Sequence, residues 1–364
     1  MTRRFVIAVL TIFVALHAFA ARKDTKMPKA AYKGEVGESP VGAIPDAELR
    51  DDARNRDVRI TIEYPTRSAN NPLIVFSPGY GGDNNAYVGL SSYWTSQGYV
   101  VIRVAHADAG KRAAEDLWTT LTQTDHRNRV RDITLVLDSL DLLEQRYEEL
   151  KGKIDRTKIV AAGHSYGAYT AMLLGGMRIY PGPIGYADPR IKAVIAMSPQ
   201  GPSDTRGLTK ESWSEMKVPV LFMTGTRDQG IAEIETPEWR RQAFDNAAAG
   251  DKWLVVVEHA RHATFVGRYD AFILAQSRES DPTPERVPIP GELPVPTDPR
   301  RPSTQPTRMQ GSSAGAAAVR ERDLFVTIKS MALAFLDAYM KEDAKGREAL
   351  EKAGLGGGVE VQRK

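Results

Sequence analysis

The sequence predicts an α/β fold: a mostly parallel central sheet with helices on both faces. Three observations carry that prediction. Short, predominantly apolar runs recur at 73–76, 99–104, 158–162, 191–197, 218–223 and 253–257, as expected of strands covered on both sides. Between them lie segments with helical spacing, clearest in Val130, Ile133, Leu137, Leu140 and Leu143 within the window to Leu150, and strands alternating with helices make a parallel sheet. Polar motifs then follow directly after several of the runs, and such sheets keep their chemistry at the carboxyl ends of the strands.

The chain has 364 residues, 42% of them hydrophobic, enough for one large domain with additions. Its formal charge is +3, with no basic block that would track phosphates, so nucleic acid is not an expected partner. Residues 1–20 carry a secretory-signal pattern. Arg3 and Arg4 precede an apolar stretch, and Ala18-Phe19-Ala20 supplies a small-x-small cleavage site. Secretion or periplasmic export is therefore expected, without stable membrane insertion once the signal is removed. There is no cysteine, which excludes a disulfide framework, a thiol nucleophile and thiolate-bound metal.

Residues 21–56 are polar and punctuated by Gly and Pro, and read as a loose lead-in. A half-buried strand is expected where Val58, Ile60, Ile62 and Tyr64 alternate with polar residues. The run 73–76 is followed by Ser77-Pro78-Gly79-Tyr80-Gly81-Gly82. A Gly-rich loop at a strand end can aim backbone N–H groups at a developing oxyanion, and Tyr80 is assigned one such donor. A helix ending near Gly98 precedes the strand 99–104. His106 beyond it is a candidate for the pocket lining, and the polar segment 108–126, with Trp118 and Leu121, for a pocket wall or lid.

The central stretch is Gly163-His164-Ser165-Tyr166-Gly167, which joins the run 158–162 to the helix formers Ala168 to Leu174. A strand turning sharply into a helix at Ser presents that hydroxyl at the tip, as in a nucleophile elbow, and glycines two residues to either side let strand and helix approach. The pentapeptide alone is a weak signal in a chain with 30 glycines. It recurs at Gly311-Ser312-Ser313-Ala314-Gly315, which follows a Pro-rich tract and reads as linker. Tyr166, directly after the Ser, is assigned the second oxyanion donor.

After the run 218–223 comes Thr224-Gly225-Thr226-Arg227-Asp228, and Asp228 is placed to orient an imidazole. After 253–257 comes Glu258-His259-Ala260-Arg261-His262, in which His262, deeper in the loop, is preferred over His259 as the base, and His164 reads as structural. Trp213 and Met197 are candidates for apolar pocket surface. The tract 277–316 reads as a Pro-rich excursion, 317–344 as a terminal helix returning to the core of 57–276, and 345–364 as a frayed tail.

Taken together and in this order, SPGYGG, GHSYGAYTA, MTGTRD and HARHATF resemble the dienelactone-hydrolase-like branch of the α/β-hydrolase superfamily, and are similar to bacterial platelet-activating-factor acetylhydrolase-like and cutinase-like polyester-hydrolase proteins. The resemblance covers roughly residues 49–270 and the terminal helix. It implies the α/β-hydrolase fold and a serine mechanism, with the catalytic residues falling on Ser165, Asp228 and His262. Two departures stand out. Dienelactone hydrolases use Cys where this chain has Ser165, which moves the chemistry toward ester hydrolysis. The acetylhydrolases carry their acid one strand earlier, where this chain has Ser198, so Asp204 is the alternative acid. A carboxylic ester, small or lipid-like, is the expected substrate, and no metal or organic cofactor is needed. A serine peptidase of the same fold and a non-catalytic binding protein are the other two readings.

Overall fold

The structure, a computed structural model, describes residues 32–112, 125–182, 184–232, 234–267, 313–354 and 358–364. The signal-like segment, Trp118 and Leu121 of the proposed lid, and nearly all of the Pro-rich tract lie outside the described residues.

Among the described residues, nine strands form one sheet. They are β1 (Val41–Asp51), β2 (Arg56–Pro65), β3 (Asn71–Ser77), β4 (Val100–Val104), β5 (Ile154–His164), β6 (Ile191–Met197), β7 (Val220–Arg227), β8 (Lys252–Arg261) and β9 (Val359–Arg363). Their spatial order is β1-β2-β4-β3-β5-β6-β7-β8-β9. The six strands from β4 to β8 pair in parallel, whereas β1 with β2, β2 with β4, and β8 with β9 pair antiparallel. The expected parallel sheet is thus present, edged by antiparallel strands.

Because successive side chains on a strand point to opposite faces, each apolar run feeds two cores. Leu73 and Val75 of β3 join one core while Ile74 and Phe76 join the other, and in β6 Val194 and Ala196 part in the same way from Ile195 and Met197. On the first face pack α2 (His126–Asp138), α3 (Leu140–Arg146), α4 (Tyr166–Leu174) and α5 (Pro237–Asp245). On the second pack α1 (Val88–Ser96), α6 (Ser313–Met340) and α7 (Ala344–Ala353).

Three sequence expectations change. The lead-in is ordered from Tyr32 on: its residues 41–51 form β1, and Tyr32 and Lys33 bind the buried Asp337 of α6 at 2.8 and 2.7 Å. The tail is structured as well, since 344–353 are helical and 359–363 cap the sheet edge against β8. The second Gly-x-Ser-x-Gly match is not all linker, because Ser313 to Gly315 open α6. In the two edge strands the sequence looks polar because many of their positions face water.

Candidate active site

Ser165 sits at the carboxyl end of the central strand β5, as the residue preceding α4, with φ 56° and ψ −119°. A non-glycine residue with positive φ is held there by its surroundings. Here the sheet ladder runs one residue past the strand, with Ser165 N–H donating to Met197 O at 2.9 Å, and Gln200 Nε2 donates to Ser165 O at 3.0 Å. The flanking glycines are required sterically. A Cβ at Gly163 would meet the Gly167 carbonyl, and one at Gly167 would meet the Ser77 and Pro78 carbonyls of the loop after β3.

The loop after β7 carries Asp228, which has no exposed surface. Its Oδ1 accepts from His262 Nδ1 at 2.8 Å, and Oδ2 accepts from Thr224 Oγ1 at 2.9 Å. Arg240 of α5 adds Nε at 3.1 Å from Oδ1 and donates to the Asp228 carbonyl at 3.0 Å. Burial alone would raise the Asp228 pKa, but the Arg240 charge and the His262 hydrogen bond outweigh it and hold the carboxyl well below the usual range. Asp228 is therefore ionised at neutral pH.

Why His262 and not His259 meets Asp228 follows from a bulge in β8. Val257 pairs with Gly225 but Arg261 with Arg227, so three residues of β8 face one of β7. His259 lies inside the bulge at φ 67°, its N–H bound to Thr226 Oγ1 at 2.8 Å and its ring 3.5 Å from Glu258. The detour swings the chain back into a 3₁₀ turn, His262–Val266, that brings the His262 ring onto Asp228. Thr264 Oγ1 ties that turn to Glu321 of α6 at 2.8 Å.

Ser165, His262, Tyr80 and Tyr166 line one cavity of about 470 Å³, open to solvent, whose wall also includes Ile231 and Val266. Among the described residues no hydrogen bond joins Ser165 Oγ to His262. Such bonds are often long in unliganded enzymes and shorten on substrate binding. The Tyr80 and Tyr166 rings stack with centroids 6.4 Å apart, which ties the loop after β3 to the start of α4. As the first residue of α4, Tyr166 has no intrahelical acceptor for its N–H.

Other candidates land elsewhere. His164 does line the cavity, its ring 4.5 Å from that of His262 and stacked on Phe265, with Nδ1 2.8 Å from Tyr87 Oη. Burial first, then the neighbouring His262, pushes its pKa well below the ordinary value, so it is a neutral spacer. His106 does not reach the pocket. It is buried between Ser77 and Asp132, 2.8 Å from each. Trp213 and Met197 are fully buried in the two cores and give the pocket no surface. Asp204 is exposed in a short turn, while the imidazole's acid partner is Asp228. Among the described residues no group of three acidic or histidine side chains is gathered as for a metal, and no helix there is long and apolar enough to cross a membrane.

The arginines were missed from sequence. Arg240 precedes Ala243 and Phe244 by three and four residues, and Arg129 precedes Ile133 and Val136 by four and seven, so both stand on the buried stripe of their helices. A charge on an apolar stripe signals a buried ion pair, and that signal was present in both helices.

No curated protein matches the chain. The model of one family, described as PET hydrolase-like, matches residues 59–267, more than half of the chain and the stretch that carries every residue of the cavity described above. With the strand order and helical layers of an α/β-hydrolase around that stretch, the chain belongs to the PET hydrolase-like family.

Proposed function

We propose that the protein is an exported serine hydrolase that cleaves carboxylic esters through an acyl-enzyme on Ser165, with His262 as base and Asp228 as orienting acid. The observation that carries this reading is the 2.8 Å bond from His262 Nδ1 to the buried Asp228, beside the strained Ser165 on the same cavity wall. With Nδ1–H committed to the Asp228 carboxylate, Nε2 is the nitrogen left to take a proton. In the reaction His262 Nε2 removes the Ser165 hydroxyl proton as Oγ attacks the ester carbonyl carbon. The carbonyl oxygen gains the negative charge, and the N–H groups of Tyr80 and Tyr166 stabilise it. Collapse expels the alcohol, which takes its proton from the imidazolium. A water deprotonated by His262 then hydrolyses the acyl-enzyme and frees the carboxylic acid.

The apolar wall at Ile231 and Val266 suits the hydrocarbon parts of an ester, and the open cavity suits a substrate larger than the pocket, in line with family members that act on polyesters. The signal pattern of residues 1–20 supports export. The test is hydrolysis of nitrophenyl esters of graded acyl length and of a polyester film by the purified protein. Turnover lost in Ser165→Ala is the expected result. Turnover that survives this substitution would overturn the proposal.

A further inference from the structure

Behind the cavity, out of contact with solvent, lies a polar network with no part in the chemistry just described. Its centre is Arg129 of α2, fully buried. All five of its N–H donors are engaged. Nε and Nη2 grip Asp108 at 3.1 and 2.6 Å, Nη1 reaches Pro78 O at 2.8 Å and Ser77 Oγ at 3.3 Å, and Nη2 reaches Gly79 O at 3.3 Å. The plane of the guanidinium also lies over the Tyr166 ring, 4.2 Å from its centroid. One side chain thus touches both segments that carry the proposed oxyanion donors.

The rest of the network fixes that side chain. Asp108 Oδ2 accepts the Gly81 N–H at 2.8 Å, and Gly79 N–H donates to Tyr87 Oη at 3.1 Å, so the amides on either side of Tyr80 are both anchored. Ser77 Oγ, an acceptor from Arg129, lies 2.8 Å from His106 Nε2, and His106 Nδ1 lies 2.8 Å from Asp132 Oδ2. Ser77, His106 and Asp132 form a serine–histidine–aspartate chain like a catalytic one, but each is at most 2% exposed, so no substrate can reach it.

We infer that Arg129 is a positioning residue for the ester hydrolysis proposed above: it sets the spacing and orientation of the Tyr80 and Tyr166 amides by clamping the loop after β3 against the start of α4. The inference rests on that functional reading. A lysine would keep the charge opposite Asp108 but cannot span Pro78, Gly79 and Asp108 at once. Misplacing donors by a fraction of an ångström weakens an interaction made only in the transition state.

The test compares wild type, Arg129→Lys and Ser77→Ala as full-length proteins on a nitrophenyl ester and against an alkyl boronic acid, a mimic of the tetrahedral state. Arg129→Lys is expected to lower kcat roughly 10–100-fold with KM unchanged, and to weaken the boronic acid by the same factor. Ser77→Ala, which removes one acceptor of Arg129 together with the link to His106, is expected to shift both quantities the same way by a few-fold, and it decides the matter if Arg129→Lys does not fold. A folded Arg129→Lys with wild-type kcat, a loss carried by KM alone, or unchanged mimic affinity in Ser77→Ala would overturn the inference. If the wild type itself fails to turn over the ester, the functional reading falls and this inference with it; a wild type that works while the variants match it removes the inference alone.

Discussion

At the level of single residues, the proposed chemistry depends on how Asp228 is kept ionised where it has no water. Two cationic or donor partners, Arg240 and His262, share its Oδ1, and Thr224 takes Oδ2. Asp228→Asn would preserve the shape but present the imidazole with the wrong hydrogen-bonding partner. We expect kcat to fall about ten-thousandfold, as loss of an orienting Asp does in serine proteases, which steady-state kinetics would measure. His259→Ala should leave kcat unchanged, since His259 is held in the bulge by its backbone and faces Glu258. Ser165, Asp228 and His262 were legible in the sequence because each follows an apolar strand, and strand ends converge in a parallel sheet. Arg129 and Arg240 were not, because they act from helices distant in sequence, and only their place on a buried stripe gave them away.

At the level of elements, the site is assembled at four strand ends, those of β3, β5, β7 and β8. The elbow needs β5, α4 and the loop after β3 to approach within backbone contact at Gly163 and Gly167. Gly167→Ala should therefore destabilise the protein by about 1–3 kcal/mol or more, the usual cost of overpacking, and slow ester turnover by pushing Ser77 and Pro78 outward. Chemical denaturation and kinetics on the same preparation would read both. The bulge in β8 was invisible in the sequence, which shows an apolar strand followed by two histidines; only the change of register from Val257 to Arg261 decides between them. The edge strands were missed for a related reason. In β1 exposed and buried residues are mixed and the register slips between Ile44 and Ala47, so no clean alternation marks it.

Over the whole molecule, burial of ionisable groups makes stability depend on pH in a direction that can be worked out. His164 and His106 are buried, and burial lowers the pKa of both, so each stays neutral in the folded state while its unfolded counterpart gains a proton below about pH 6.5. Their contribution is complete above that pH and is lost as pH falls, at up to about 1.4 kcal/mol per pH unit for each. The depressed carboxyls of Asp228, Asp132 and Asp108 add a second loss, which begins near pH 4. Thermal unfolding across pH 3–8 should show both breaks, and His106→Gln should flatten the first. The parallel centre of the sheet and the strand-end positions of the site follow from the succession of apolar runs along the sequence, whereas the polar network beneath the site is built from contacts between residues far apart in the chain.

The most direct measurement of the central claim is to treat the purified protein with a fluorophosphonate, digest it and locate the adduct by peptide mass. A single phosphonyl group is expected on the peptide carrying Ser165, absent in Ser165→Ala and formed far more slowly in His262→Ala. A modified residue elsewhere, or an active esterase that takes up no label, would contradict it.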